Sequence, residues 1–223
     1  MTIKTAMILA AGRGERMRPL TDNCPKPLLK VGELSLIQHL LKQLSETAVE
    51  RVVINHAWKG KMIEAELGNE QFGLSLFYSH EVEALETGGG IYKALPLLGD
   101  EPFIVVNGDV WTDFPFETLN LDKGCLAHLV LIDNPAHNLS GDFELVAGKV
   151  YSSGQQCLTF SGIGVYSPLL FSGAKPGAFP LAPLLREAMD KQQVTGEYFS
   201  GEWNDIGTPE RLYAIRKCVE SGA

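Results

Sequence analysis

A glycine-rich, basic segment near the N-terminus combines the residue types that bind a polyphosphate. The string LAAGRGERMRPLT occupies residues 9–21, and PKP occupies residues 25–27. Glycines let backbone N–H groups approach phosphate oxygens closely, and guanidinium groups hold such oxygens through paired hydrogen bonds. The glycines and arginines of this segment, with the lysine that follows, therefore predict a phosphate-binding loop.

Two well-known glycine-loop patterns do not match this segment. A dinucleotide-binding loop requires G-x-G-x-x-G, but Met17 stands where the third glycine belongs. A Walker-type loop requires G-x-x-x-x-G-K-[ST], and the sequence contains no such string. Pro19 disfavours a helix that begins directly after the glycines. An open, basic loop is therefore predicted, and an ordinary turn with solvated arginines is the alternative.

Asp109 follows the most apolar stretch of the chain, residues 103–107, which is predicted to be a central buried strand. Open α/β sheets bind ligands at the carboxyl ends of their strands, so this carboxylate lies where a ligand is expected. Mg²⁺ prefers hard oxygen ligands and is held by one or two carboxylates together with substrate phosphates. The position suits a magnesium ligand, although a simple turn aspartate after Gly108 is the structural alternative.

The string WNDIGTPERL at residues 203–212 contains a second carboxylate of interest. Thr208 is a natural helix cap, Pro209 suits the first helical position, and Glu210 suits the first turn, so these residues have a structural explanation. Asp205 has no comparable explanation beyond a simple turn role. It is therefore a second candidate for chemistry.

The string ETGGG at residues 86–90 is the third candidate element. Successive glycines before a helix would expose free N–H donors and leave room for a flat base against the backbone. A flexible turn is the alternative. The pattern predicts a helix that begins after Gly90 and stops near Pro96.

Composition narrows the function. The chain has 223 residues, 45% of them hydrophobic and 21% charged, with a net charge of −8. One globular domain is expected, and the negative charge argues against nucleic acid as a partner. The apolar runs are too short to span a membrane, and the four cysteines form no C-x-x-C pair. A cytoplasmic protein without membrane partners is therefore predicted.

Apolar runs alternate with helical patterns, which predicts an α/β fold with helices on a mixed, mostly parallel sheet. The predicted strands are residues 5–10, 52–54, 74–78, 103–107, 126–132 and 159–166, with a hairpin over 142–150. The predicted helices are residues 34–44 with Ser35 as cap, 62–67, 180–189 and 209–218, besides the one after Gly90. A single domain over 1–223 is expected, with a nucleotide-binding half at about 1–110 and a sugar-phosphate half at about 111–223.

The loop at residues 9–21 resembles the signature of the sugar-phosphate nucleotidylyltransferases, which join a sugar 1-phosphate to a nucleoside triphosphate. The resemblance implies a Rossmann-like three-layer α/β/α fold. It implies that Arg16 clamps the leaving end of the triphosphate, that Lys26 lies against the α-phosphate and the sugar phosphate, and that Asp109 and Asp205 together hold Mg²⁺. Its implied nucleotide contacts are Leu9, Ala10, Ala11, Gly12, Gly14, Glu15, Arg16, Lys26, Ser79, Thr87, Gly88, Asn107 and Gly108.

The same resemblance implies a sugar-phosphate side. Its implied contacts are Glu86, Gly141, Asp142, Ser161, Gly162 and Asn204. Larger relatives carry a Glu-Lys-Pro string between these segments, but this chain has Tyr151-Ser152-Ser153-Gly154 instead. The usual glutamate and lysine contacts to the sugar are therefore unassigned.

Three further strings refine the resemblance: VINHAW at 53–58, ETGGG at 86–90 and NGDVWTD at 107–113. Together they most closely resemble the bacterial N-acetylmuramate-1-phosphate uridylyltransferases of cell-wall recycling, which implies UTP as donor and N-acetylmuramic acid 1-phosphate as acceptor. A guanylyltransferase for mannose or heptose 1-phosphate is the alternative, and an inactive sugar-nucleotide-binding regulatory subunit is a non-enzymatic one. A monomer or small homo-oligomer is expected.

The expected reaction is an in-line displacement at the α-phosphorus, with pyrophosphate leaving. A phosphate monoester is already ionised near neutral pH, so the nucleophile needs no general base. This agrees with the lack of any Ser-His-Asp or Cys-His arrangement in the sequence. Catalysis would then depend on positioning two polyanions and neutralising their charge.

Overall fold

The computed structural model describes residues 2–221 as an α/β fold. The strands are β1 (Thr5–Leu9), β2 (Lys30–Val31), β3 (Leu34–Ser35), β4 (Arg51–His56), β5 (Glu70–Gln71), β6 (Leu74–His80), β7 (Phe103–Asn107), β8 (Val110–Thr112), β9 (Ala127–Ile132), β10 (Phe143–Val146), β11 (Lys149–Tyr151), β12 (Cys157–Tyr166), β13 (Val194–Tyr198) and β14 (Trp203–Asp205). The helices are α1 (Leu36–Ser45), α2 (Gly60–Leu67), α3 (Glu86–Leu98), α4 (Ala182–Asp190) and α5 (Pro209–Ser221).

Most strands form one mixed sheet in the order β10-β11-β13-β9-β12-β7-β1-β4-β6-β5. β1 pairs in parallel with β4 and β7, and β4 pairs in parallel with β6, so the carboxyl ends of these strands meet at one edge. β12 runs antiparallel to both β7 and β9 and joins the second half of the chain to the first. The predicted mixed sheet is confirmed.

Helices cover both faces of this sheet because the side chains of β1 alternate between them. Ile8 packs in a cluster with Leu40 of α1, whereas Met7 packs in the opposite cluster with Ile91 of α3. The three predicted layers are therefore present.

None of the helices described between residues 2 and 221 has the length and apolar character that crossing a bilayer requires.

Several sequence predictions match closely. β7 has the predicted bounds, and α1 begins directly after Ser35, which forms a capping box with Gln38. The hairpin predicted over 142–150 is present as β10 and β11. The short strands β8 and β14 were not predicted, because three residues are too few to show an alternating pattern.

The prediction for α3 was wrong at its start. The helix begins at Glu86, before the glycines, whereas it ends at Leu98, near Pro96 as predicted. A Cβ at Gly88 would lie 2.6 Å from the Phe179 ring, and a Cβ at Gly89 would lie 2.2 Å from the carbonyl oxygen of Gly177. These glycines are therefore buried inside the helix, where they admit the neighbouring segment rather than expose free donors.

His56 ends β4 and is buried against α2. Its side chain is 1% exposed, and Nε2 lies 2.8 Å from Oε1 of Glu64. A Cβ at Gly60 would lie 1.8 Å from Nδ1 of the ring, so the first residue of α2 must be small. Burial lowers the pKa of His56, and this effect outweighs the opposing influence of Glu64.

Replacing Gly89 with alanine is expected to lower the free energy of unfolding by about 1–3 kcal/mol, because the added Cβ collides with backbone that must move. Urea denaturation measures this change. The matched control is Gly12→Ala, since nothing lies within 4 Å of a Cβ at Gly12. Equal denaturation midpoints for the two variants would contradict the packing explanation.

His56 also predicts a pH dependence of stability. Its pKa in the folded chain lies below the ordinary value of 6.5, so the unfolded chain takes up the proton first as the pH falls. The contribution of His56 to the free energy of unfolding should therefore be constant above about pH 6.5 and fall below it, by at most about 1.4 kcal/mol per pH unit. The difference in free energy of unfolding between the protein and His56→Gln should change with pH only in the acidic range. Parallel pH profiles would contradict the assignment.

Candidate functional site

The ends of β1, β4 and β7 meet at one point of the sheet edge. Leu9 of β1 lies beside Asn55 of β4 and Asn107 of β7 in the register of the strands. The backbone N–H of Gly108 donates to the carbonyl oxygen of Leu9 at 2.9 Å, and a Cβ at Gly108 would lie 2.7 Å from that oxygen. Only glycine allows this approach, which places Asp109 beside the basic loop.

The basic loop folds back on itself after β1. Gly14 has a φ of +66°, and the hydroxyl of Thr21 donates to its carbonyl oxygen at 2.7 Å. The turn Glu15–Met17 follows, and Met17 is buried with Ile206, which follows β14, and with Leu212 of α5. Gly12 is exposed and has open space around it. The loop is thus anchored at its far end and open at its start.

The arginines of the loop have different surroundings. The Arg13 guanidinium lies 3.7 Å above the centroid of the Trp58 ring, so this side chain has a packing role. Arg16 extends towards the end of β14, where its Nη2 lies 3.1 Å from the position a Cβ on Gly207 would take. Oδ2 of Asp205 lies 3.4 Å from the same position. The structure therefore brings Arg16 and Asp205 together around Gly207.

Lys26 contacts Asp109 directly. Its Nζ lies 2.5 Å from Oδ2 of Asp109, and the two side chains are only 16% and 22% exposed. Lys26 begins the short 3₁₀ turn Lys26–Leu28, directly after Pro25 in extended conformation. This contact joins the basic loop to the end of β7, as the predicted site requires.

Asp205 reaches the same place from the other end of the chain. It lies opposite Val110 in the antiparallel pair of β14 and β8. The backbone N–H of Ile206 donates to the carbonyl oxygen of Asp109 at 2.8 Å. Two candidate metal ligands that are far apart in sequence therefore lie on adjacent backbone segments.

Two residues that the sequence analysis did not select also contact Asp205. Nη1 of Arg211 lies 2.5 Å from Oδ1 of Asp205, and Nε2 of His137 lies 3.4 Å from the same oxygen. Nη2 of Arg211 lies 2.8 Å from Nδ1 of His137. Arg211 lies in the first turn of the helix predicted to begin at Pro209. Its closeness to Asp205 in the sequence was therefore a signal that the two side chains could meet. No sequence signal pointed to His137.

A cavity of about 190 Å³ lies beside the open part of the loop. Its lining residues are Leu9, Ala11, Gly12, Asn55, Glu81, Ala84, Glu86 and Thr87. Five of these were predicted individually to contact substrate. Glu81 and Ala84 fall within residues 79–85, which the family resemblance assigns to the lip that reads the base, and only Asn55 was not predicted. Glu86 has a φ of +58°, a conformation that few residues other than glycine adopt. Strain of this kind is concentrated at functional sites.

Ser79 and Gly88, two of the predicted nucleotide contacts that do not line this cavity, are enclosed by protein. Ser79 is buried within β6, and Gly88 packs against Phe179 inside α3. The expectation that the glycines of residues 88–90 lie open to a base was therefore wrong. The space beside them is filled by protein.

The predicted sugar-side loop, which contains Gly141 and Asp142, is hydrogen-bonded to β12. Oδ2 of Asp142 accepts hydrogen bonds from the backbone N–H of Phe160 at 2.9 Å and from Nδ2 of Asn138 at 3.2 Å. Gly141 has a φ of +64°, and a Cβ there would lie 2.5 Å from the carbonyl oxygen of Cys157. Both residues have a structural role here, and their contact with a sugar stays a prediction.

The remaining sugar-side residues lie on β12 and β14. Ser161 is buried, and its hydroxyl donates to the carbonyl oxygen of Val130 at 2.7 Å. Gly162 has a φ of +79°, and a Cβ there would lie 2.4 Å from Nδ2 of Asn107, so Gly162 admits that side chain. Asn204 lies between the two other residues of β14. Their roles in sugar binding also stay predictions.

The segment that departs from the Glu-Lys-Pro pattern forms a closed turn. Oε1 of Glu144 accepts the backbone N–H groups of Gln155 at 2.8 Å and Gln156 at 3.3 Å. A Cβ at Gly154 would lie about 2 Å from this carboxylate, closest at 1.9 Å. The Glu144 carboxylate therefore stabilises this turn.

Comparison with known proteins finds nucleotidyl transferases in each case. Residues 5–123 match the family described as nucleotidyl transferase. An N-acetylmuramate alpha-1-phosphate uridylyltransferase from Neisseria meningitidis serogroup B is 48% identical over 218 residues, which cover 93% of this chain and 94% of the relative. An enzyme of the same name from Caulobacter vibrioides is 33% identical, with 98% of each chain covered. A mannose-1-phosphate guanylyltransferase catalytic subunit beta from Drosophila melanogaster is 38% identical, with 60% of its length covered.

Two solved structures share the fold. A glucose-1-phosphate thymidylyltransferase from Bacillus anthracis has a TM-score of 0.84 at 21% identity, and the match covers 96% of this chain and 94% of that one. A UDP-glucose pyrophosphorylase complexed with UDP-glucose has a TM-score of 0.82 at 20% identity, with 99% and 100% covered. These likenesses confirm the predicted Rossmann-like α/β fold.

Proposed function

The chain belongs to the nucleotidyl transferase family, and from that premise we propose that it joins N-acetylmuramic acid 1-phosphate to UTP, giving the UDP-sugar and pyrophosphate. The meeting of Arg16, Lys26, Asp109 and Asp205 at one sheet edge carries the reaction class, and the 48% identity to the Neisseria enzyme supports the substrates. Two of these residues are cationic and two are carboxylates, and they come from the N-terminal, middle and C-terminal parts of the chain. Such a set suits a triphosphate bound with a metal ion.

The carboxylates suit Mg²⁺ as the cation. Within residues 2–221, no cluster of three His, Cys, Asp or Glu side chains could hold an ion by itself. Magnesium does not need one, since it is typically held by one or two carboxylates and completed by water and substrate phosphates. Asp109 and Asp205 would hold the ion, and its charge would offset the repulsion between the two polyanionic substrates.

The cationic residues would then position the phosphates. Lys26 is held beside Asp109 before any substrate arrives, so its ammonium group needs little reorganisation to face the α-phosphate. Arg16, whose guanidinium lies near Gly207, would hold the pyrophosphate as it leaves. The attacking oxygen of the sugar phosphate is already ionised, so a general base is not required. Because UTP is a cytoplasmic compound, we place the reaction in the cytoplasm.

A pyrophosphate-release assay with the common nucleoside triphosphates against a panel of sugar 1-phosphates tests the substrates. UTP with N-acetylmuramic acid 1-phosphate should give the highest kcat/KM. Release only with GTP and mannose 1-phosphate would support the guanylyltransferase alternative, which the identity to the Drosophila protein favours. No release with any pair would contradict an enzymatic role and favour a regulatory subunit.

Removing either carboxylate should stop turnover without unfolding the chain. Asp109→Asn and Asp205→Asn are each expected to lower kcat by at least about 100-fold, the scale seen when a charge-stabilising group is lost. Asp100→Asn is the matched control, because Asp100 is exposed just before β7, at the opposite edge of the sheet. Thermal denaturation of all three variants checks the fold. A near-normal rate for Asp109→Asn in magnesium would contradict the assignment.

A further inference from the structure

Glu81 is a buried carboxylate that the proposed chemistry does not use. It follows β6 and is 1% exposed. Its Oε1 accepts a hydrogen bond from Nδ2 of Asn55 at 2.7 Å, and its Oε2 accepts one from the backbone N–H of Leu85 at 2.9 Å. Buried carboxylates are rare unless their oxygens are satisfied, so these two bonds account for its place in the structure.

Asn55 extends this hydrogen-bond chain to the basic loop. It is 3% exposed, and its Oδ1 accepts the backbone N–H of Ala10 at 2.9 Å. Because the Ala10 N–H can only donate, the amide oxygen of Asn55 must face it and the amide nitrogen must face Glu81. The orientation of each group is therefore determined. Three hydrogen bonds connect Ala10, Asn55, Glu81 and Leu85.

Gly90 of α3 makes room for this pair. A Cβ at Gly90 would lie 2.8 Å from Nδ2 of Asn55 and 2.9 Å from Oε1 of Glu81. The third glycine of the ETGGG string is thus explained by the buried pair rather than by a bound base. The helix, β4 and the loop after β6 are packed around the same two side chains.

The hydrogen-bond chain spans the cavity of about 190 Å³. Asn55 and Glu81 line it, with Leu9, Ala11 and Gly12 of the basic loop on one side and Ala84, Glu86 and Thr87 on the other. The bonded backbone groups belong to Ala10 and Leu85, which adjoin these two groups of lining residues. Asn55 and Glu81 therefore connect the backbone segments at the two sides of the cavity through hydrogen bonds.

We propose that Asn55 and Glu81 are positioning residues that set the width of the nucleotide cleft, and with it the discrimination among bases. The inference rests on the proposed function for its ligand, a nucleoside triphosphate. The side chains act through the backbone segments they hold, at residues 10 and 85. A direct contact between the Glu81 carboxylate and the base is the competing explanation.

Exchanging the amide and the carboxylate between positions 55 and 81 distinguishes the positioning role from a direct contact with the base. In Glu81→Gln, Asn55 keeps its orientation, so the one oxygen of the new side chain cannot serve both Asn55 and Leu85. In Asn55→Asp, two carboxylates face each other in a buried place. In the double variant, the new glutamine amide donates to the new aspartate, and the bonds to Ala10 and Leu85 are kept. The double variant also keeps the net charge.

Direct UTP binding and amide hydrogen exchange are the measurements. Each single variant should weaken UTP binding by about tenfold, the scale of one unsatisfied buried polar group, and reduce its preference for UTP over other triphosphates. Glu81→Gln should also speed hydrogen exchange at the Leu85 amide. The double variant should restore affinity to within about threefold and restore the exchange protection. Glu83→Gln, an exposed neighbour, should behave as the unchanged protein.

Several results would overturn the proposal. A double variant as impaired as Glu81→Gln would mean that the ligand uses the carboxylate itself, and normal UTP binding by Glu81→Gln would remove the positioning role. If a single variant does not fold, the double variant decides alone, through its UTP affinity and its Leu85 protection. Failure of the unchanged protein to bind UTP would instead count against the proposed function, since the exchange data test the hydrogen bonds independently.

Discussion

The close backbone contact between Leu9 and Gly108 is the constraint on which the candidate site depends. It brings the ends of β1 and β7 together at a position where no side chain fits. The basic loop leaves from one of these ends, and Asp109 leaves from the other. β8 follows at once, and its pairing with β14 brings in Asp205 from near the C-terminus. The Leu9–Gly108 contact and the β8–β14 pairing together bring Arg16 and Lys26 close to Asp109 and Asp205.

The charges at this point are paired before any substrate arrives. Lys26 contacts Asp109, and Arg211 contacts Asp205, although the chain as a whole carries a charge of −8. Groups held in this way are already in position when phosphates bind, which is how preorganised sites reduce the free energy needed for reorganisation. The buried side chains of Asn55 and Glu81 also hold the backbone near this site. Neutral N–H groups donate hydrogen bonds to the amide oxygen of Asn55 and to the carboxylate of Glu81.

Local signals in the sequence were sufficient for much of this structure. The bounds of β7 and the cap at Ser35 followed from apolar runs and capping chemistry, and the position of Asp109 followed from the strand before it. The glycines of α3 were misassigned because their reason lies in tertiary contacts with Gly177, Phe179 and the Asn55–Glu81 pair. Contacts such as Arg211 with His137 join residues 74 positions apart, and one sequence contains no pattern that reports them.

The central claim is that Asp109 and Asp205 form one cation site that nucleotide phosphates complete. Mn²⁺ can replace Mg²⁺ as a paramagnetic probe, and its binding is followed through the relaxation rate of water protons. We predict weak Mn²⁺ binding to the protein alone, tight binding when UTP is added, and a loss of at least about tenfold in Asp109→Asn and Asp205→Asn. Unchanged Mn²⁺ affinity in both variants, with UTP present, would contradict the account.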